Sequence, residues 1–233
     1  MMQSNQRGIT LISLMIGLVI SMIAVLGMTA LFRTVIKNNV KASNDARITS
    51  DRAAAFLIAD MHLHDAGFGI DTEDDLDTKL LLLKRATLPS NGKGVLRDID
   101  RVDISSSQAY KENTTIIWRF KRDLPSPPDS LPEPSYCAGL HAAGTGIYYL
   151  NPVECTNVQG SLASTWETQQ LVDGLAFEIT LERKDTGLCR GFGVAGTSYL
   201  SAKLETEHSL GEGVDADKIS LSSSTCLLNF SKP

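Results

Sequence analysis

From Ile9 to Phe32 the chain runs for 24 residues without a charged side chain, between a polar stretch ending in Arg7-Gly8 and the cation Arg33. A helix rises about 1.5 Å per residue, so this run measures about 36 Å and can cross a bilayer core of roughly 30 Å. No proline occurs from Ile9 to Asp65, and glycine appears there only at Gly17 and Gly27. The pattern therefore predicts one continuous helix of roughly 55 residues. After Phe32 it turns amphipathic: Val35, Ile36 and Val40, a polar stretch, then Ala53 to Leu57 and Met61. That half is expected to lay an apolar face on a sheet. Gly67 and Gly69 supply the stop.

Beyond the acidic stretch Asp71 to Asp77, which reads as a turn, the hydrophobic period drops to two. The strands this predicts are Lys79–Leu83, Val95–Ile99, Thr114–Lys121, Gly146–Leu150, Leu175–Arg183, Lys218–Leu221 and Leu227–Phe230. Thr114 to Phe120 gives the clearest signal, being rich in β-branched and aromatic residues. Leu124 to Pro134 holds five prolines and can be neither helix nor central strand. Gly191 to Gly213 reads as a loop, and no internal repeat is apparent. The fold class expected is α+β, a long N-terminal helix packed on an antiparallel sheet.

Composition narrows the function classes. The chain has 233 residues and a net charge of −5, with no basic block, so nucleic-acid binding has no electrostatic support. Its four cysteines, Cys137, Cys155, Cys189 and Cys226, all lie in the C-terminal half. An even count on one side of an apolar segment points to disulfides in an oxidising compartment. Free buried thiols are the rival reading. Zinc is disfavoured, because no pair has C-x-x-C spacing and no His-x-x-x-His accompanies them. Three connectivities are open, of which Cys137–Cys155 with Cys189–Cys226 is the most local. Closing loops of that length contributes roughly 3 kcal/mol each in the chain-entropy picture.

The segment Arg7-Gly8-Ile9-Thr10-Leu11-Ile12-Ser13-Leu14-Met15-Ile16-Gly17-Leu18-Val19 resembles the N-terminus of type IV pilins. In that family a polar leader ends in Gly, prepilin peptidase cuts after it, and the new N-terminus is methylated. The resemblance implies a cut between Gly8 and Ile9. The stretch Phe56 to Gly69, with Leu57-Ile58-Ala59-Asp60 and Ala66-Gly67-Phe68, looks like the end of the long helix in PilW-like minor pilins. Gln170 to Ile179 is similar to a late strand segment of those proteins. Two positions depart from the family pattern: Ile9 replaces the usual Phe after the cut, and Ser13 replaces the usual Glu. That Glu is taken to pair with a neighbouring subunit's amine. A buried carboxylate is costly unless paired, so Ser13 is a tolerated variant, marks a subunit at the tip or in an initiating complex, or belongs to a degenerate or misassembled gene product.

What the resemblance implies is a minor pilin of a type IV pilus, with no catalytic, cofactor-binding or metal site. Leu11, Ser13, Leu14 and Met15 would sit on the assembly helix. Prepilin peptidase, other major and minor pilins, the inner-membrane assembly platform and membrane lipid would be its partners. The divisions expected are a leader (1–8), a transmembrane assembly helix (9–32), its amphipathic continuation (33–69) and an extracytoplasmic β-rich domain (70–233). The mature protein would be anchored in the bacterial inner membrane with that domain in the periplasm, and would reach the pilus surface on assembly. A type II secretion pseudopilin of the GspJ kind shares this architecture. The alternative from another class is a single-pass membrane protein with an uncut N-terminus.

One feature opposes this orientation. The leader side of the apolar run has only Arg7, while Arg33, Lys37, Lys41, Arg47 and Arg52 follow it. By the positive-inside tendency alone the C-terminal domain would be cytoplasmic. The leader motif and the cysteines outweigh this, since long domains translocate largely regardless of charge.

Other candidate chemistry is thin. His62 and His64 stand roughly 200° apart around a helix and cannot readily share a metal. Asp71 to Asp77 lacks the Gly and the acid an EF-hand needs, having Leu76 and Leu82 instead. A solvated turn is the stronger reading there, ahead of a looser calcium site. No nucleophile motif frames Ser198, His141 or His208, and Gly191 to Gly196 lacks the flanking strand and helix of a nucleotide loop. The acceptor patterns at Asn113 and Asn229 carry no information in a bacterial setting.

Overall fold

The computed structural model describes residues 11–70, 75–88, 92–102, 104, 108–110, 114–122, 134–174, 176–183, 189–190, 197–210 and 217–230. Residues 1–10 with Gly8 and Ile9, residues 71–74, most of the proline-rich stretch and the glycine run 191–196 lie outside them. The chain divides into two compact units, Met1–Asp51 and Arg52–Pro233. One helix, α1 (Leu11–His64), contributes to both.

In the first unit α1 is helical throughout the described residues and exposed along almost all its length. No proline interrupts its hydrogen-bond ladder. The mid-helix hydroxyls turn inward: Ser21 donates to Leu18 O (2.9 Å), Thr29 to Val25 O (2.8 Å) and Thr34 to Ala30 O (3.1 Å).

The second unit is α+β. A short helix, α2 (Leu76–Lys79), leads into β1 (Leu80–Lys84). There follow β2 (Lys93–Gly94), β3 (Asp100–Val102), β4 (Gln108–Tyr110), β5 (Thr114–Lys121), β6 (Ser135–Ala143) and β7 (Gly146–Glu154). A 3-10 turn, Gly160–Ala163, precedes β8 (Trp166–Asp173) and β9 (Phe177–Arg183). Last come β10 (Cys189–Arg190), β11 (Thr197–Ser198), β12 (Leu200–Leu210) and β13 (Asp217–Cys226). They form an antiparallel seven-stranded sheet, β2-β8-β7-β6-β5-β1-β3, an antiparallel four-stranded sheet, β13-β12-β9-β4, and a β10-β11 pair.

The larger sheet is buried on both faces at β1, β5 and β6, and β1 and β5 accordingly read as apolar runs without alternation. All four leucines of β1 are buried. Its register aligns Leu82, Ile116, Leu140 and Tyr149 across one face, the face that meets α1 through Tyr149 and His62. On the other face Leu81, Leu83, Ile117, Cys137, Leu150 and Trp166 pack with Ala86, Leu96 and Val158 from the connecting segments. Gly139 sits at a bulge in β6, where an added Cβ would lie 2.7 Å from Ile116 O and 2.9 Å from Leu150 Cδ1.

Several strands depart from the pattern reading. Val95–Ile99 is not a strand: Leu96 is drawn into the core and Arg97 makes only an isolated bridge to Thr87. Leu227–Phe230 forms a turn, not a strand, with Leu227 and Phe230 buried. Part of Gly191–Gly213, expected to be a loop, is β12, in which Leu200, Ala202, Leu204 and Thr206 face inward. Lys218–Leu221 and Gly146–Leu150 prove to be pieces of longer strands, β13 and β7.

The docking face of α1 also differs. Of Ala53 to Leu57 and Met61, expected to pack, Ala55 is buried but Leu57 and Met61 are 67% and 61% exposed, while Arg52, Ala59 and Leu63 are buried as well. Small side chains let the helix backbone come close to the sheets. Gly67 (φ +76°) and Gly69 (φ +66°) follow in the left-handed region that ends the helix.

Candidate functional site: the apolar helix and its docked end

Among the described residues of the first unit, the dominant feature is a surface that water does not tolerate. Every Leu, Ile, Val, Met and Phe from Leu11 to Phe32 is more than half exposed. The exposure runs round the whole circumference, and α1 is long and apolar enough to cross a membrane. An apolar area of this extent requires lipid or other protein around it. Satisfying hydroxyls within the helix, as Ser21 and Thr29 do, is what an apolar medium demands.

Leu11, Ser13, Leu14 and Met15 all lie on this helix with exposed side chains. The Ser13 hydroxyl makes no hydrogen bond among the described residues, unlike those of Ser21 and Thr29. The processing pair Gly8 and Ile9 falls outside the described residues.

The four cysteines are brought together as Cys137–Cys155 (S–S 1.98 Å) and Cys189–Cys226 (2.11 Å). The first bridge lies in the core beside Trp166. The second ties β10 to the end of β13.

Within the second unit, residues 52–64 of α1 touch both sheets. Phe56 meets Phe177 edge-on (5.9 Å between centroids), and Thr225 donates to Asp60. His62 stacks on Tyr149 at 3.8 Å. Burial lowers the His62 pKa while Asp65 opposes that shift, and burial with Asp65 pushes the Tyr149 hydroxyl up to about 12. His64 instead lies 3.5 Å from Asp60, so the two histidines serve different neighbours. Asn229 Nδ2 donates to Ala66 O (2.8 Å) and His64 O (3.3 Å), closing the helix end. Arg52, 2% exposed, donates weakly to Glu207 O (3.5 Å), and its Nε has no partner. Sequence reasoning placed Arg52 among the flanking cations and gave Asn229 no role. Neither job leaves a local signal, because the partners lie 155 and 163 residues away.

Residues that could have made a catalytic group are engaged separately. Ser198 Oγ donates to Phe230 O (2.8 Å) and accepts from Leu200 N. His141 Nδ1 bonds Thr115 Oγ1 (2.7 Å). A depression of about 660 Å³ beside Cys155 is lined by Arg119, Ser135 and Glu154. There Arg119 Nε donates to Ser135 Oγ, which donates to Cys155 O. Among the described residues no His, Cys, Asp and Glu group could hold a metal.

No curated protein and no solved structure matches the chain. The family model for the prokaryotic N-terminal methylation motif matches residues 3–29, from within the polar leader to the twenty-first residue of the apolar run. The chain thus carries the N-terminal segment typical of prepilin-like type IV pilins, a match that implies processing by prepilin peptidase, membrane anchoring and association with pilins.

Proposed function

We propose that this protein is a minor pilin, PilW-like, whose work is assembly and not catalysis. Prepilin peptidase removes residues 1–8, and the new N-terminus at Ile9 is methylated. The mature subunit waits in the bacterial inner membrane with its β-rich domain in the periplasm. The inner-membrane assembly platform then moves it into a filament with major and minor pilins, where it is displayed at the cell surface. The apolar part of α1 exchanges lipid for neighbouring helices. That exchange is feasible because the segment is apolar all round and suits either medium. Ser13 offers no carboxylate to a neighbour's amine, which fits a tip or initiating position. The supporting observation is the methylation motif at residues 3–29, which overlaps the part of α1, Leu11 to Phe32, whose large apolar side chains are all exposed. Two disulfides in the second unit are in keeping with export to an oxidising compartment.

The intact mass of the mature chain tests this. The expected chain starts at N-methylated Ile9, and Gly8→Leu blocks cleavage by putting a branched side chain at the scissile position. Recovery of the chain from Met1 in wild-type filament fractions would refute the reading.

A further inference from the structure

The cations that follow the apolar run sort into two groups once their partners are known. Arg52 is buried in the second unit against Glu207 O, and Arg47 Nε lies 3.7 Å from Asp51. Arg33, Lys37 and Lys41 remain. All three are exposed, and none has an ion-pair partner among the described residues. They are spaced four apart on one helix, so they share an arc of about 80° and climb about 6 Å per step.

We propose that Arg33, Lys37 and Lys41 form a binding stripe for the phosphodiester headgroups of anionic phospholipids. The proposal rests on the membrane-anchored reading above. Its first support is position: Arg33 directly follows the last apolar residue, Phe32. The headgroup layer adds about 5–7 Å on each side of the hydrocarbon core, which places Arg33 and Lys37 within it. Lys41 stands about 12 Å beyond Arg33, and its aliphatic stem can snorkel back along the helix. Charge is the second support, because cations beside a membrane segment are drawn to anionic headgroups. It also gives the excess of cations on the side the positive-inside tendency disfavours a use that does not depend on topology.

The test uses the full mature chain reconstituted in phosphatidylethanolamine bilayers with spin-labelled phosphatidylglycerol or phosphatidylcholine as tracer. Electron spin resonance then reports the lipid restricted at the protein surface. At low salt we expect phosphatidylglycerol to be favoured at least two-fold over phosphatidylcholine, and the preference to fall toward one at high salt. The triple variant R33Q/K37Q/K41Q should lose it, while R47Q, which removes only the cation paired with Asp51, should keep it. A chain that fails to float with the vesicles overturns the anchored reading and the proposal with it. A chain that floats but takes both tracers equally, or a triple variant that retains the preference, overturns the proposal alone; a stripe reserved for carboxylates of neighbouring subunits gives the equal result.

Discussion

Asn229, four residues from the C-terminus, finishes a helix that begins near the N-terminus. Its amide meets the His64 carbonyl at the end of α1 and the Ala66 carbonyl in the turn that follows, a task usually left to local backbone or water. Removing it leaves part-buried acceptors unpaired, so Asn229→Ala should destabilise the protein by about 1–2 kcal/mol in urea unfolding. His141 makes a second residue-scale case. Burial holds its pKa down at about 4, against 6.5 in the free side chain. As pH falls the unfolded chain therefore takes up the proton first. The stability that neutral His141 carries is complete above about pH 6.5 and is lost between there and about pH 4, at up to about 1.4 kcal/mol per pH unit. His141→Gln should flatten the dependence of the urea midpoint on pH across that window. Equal slopes in both proteins would show that His141 does not titrate as its burial requires.

Elements were legible where period and composition agree and hidden where packing overrules them. The long helix was readable from its lack of proline and its apolar run, and Thr114–Lys121 from its β-branched content. β6 and β8 were not. One is small and glycine-containing, Ser-Tyr-Cys-Ala-Gly-Leu, and the other is mostly polar; each owes its place to the strands beside it. In β12 a regular alternation at Leu200, Ala202 and Leu204 was obscured by the glycines before and after it. The docking face of α1 was legible only in part: the pattern named Ala53 to Leu57 and Met61, of which Ala55 is buried but Leu57 and Met61 are exposed, and the close approach to the sheets adds Ala59. The two readings predict opposite mutational results. Ala59→Leu should overpack the seam and cost about 1–3 kcal/mol. Leu57→Ala should leave stability nearly unchanged, because that side chain touches little in the isolated chain. Thermal unfolding of both variants decides, and a larger loss from Leu57→Ala would reverse the assignment.

On the scale of the whole molecule, the sequence disclosed function better at the N-terminus than in the β-rich unit. A membrane segment and a processing motif are local and contiguous, so 33 residues carry them. Surfaces in the second unit are assembled from strands distant in sequence, so no short pattern announces them. Ser13 is where the two scales meet. On the membrane-anchored reading proposed above, a carboxylate at this position would have to be paired with a cation, whereas a hydroxyl can bond its own helix. On that same reading, a subunit with Ser13 is held by its neighbours without offering that pair, which suits a place where the chain of subunits starts. The protein should then be present in a few copies per filament. Deletion should reduce filament number and leave filament diameter unchanged. Ser13→Glu should be neutral at best, and at worst cost about 2.5–3.5 kcal/mol on membrane insertion. Quantitative labelling of purified filaments reads the outcome directly: subunits spread evenly along the shaft would assign Ser13 to an ordinary shaft position and end the tip reading.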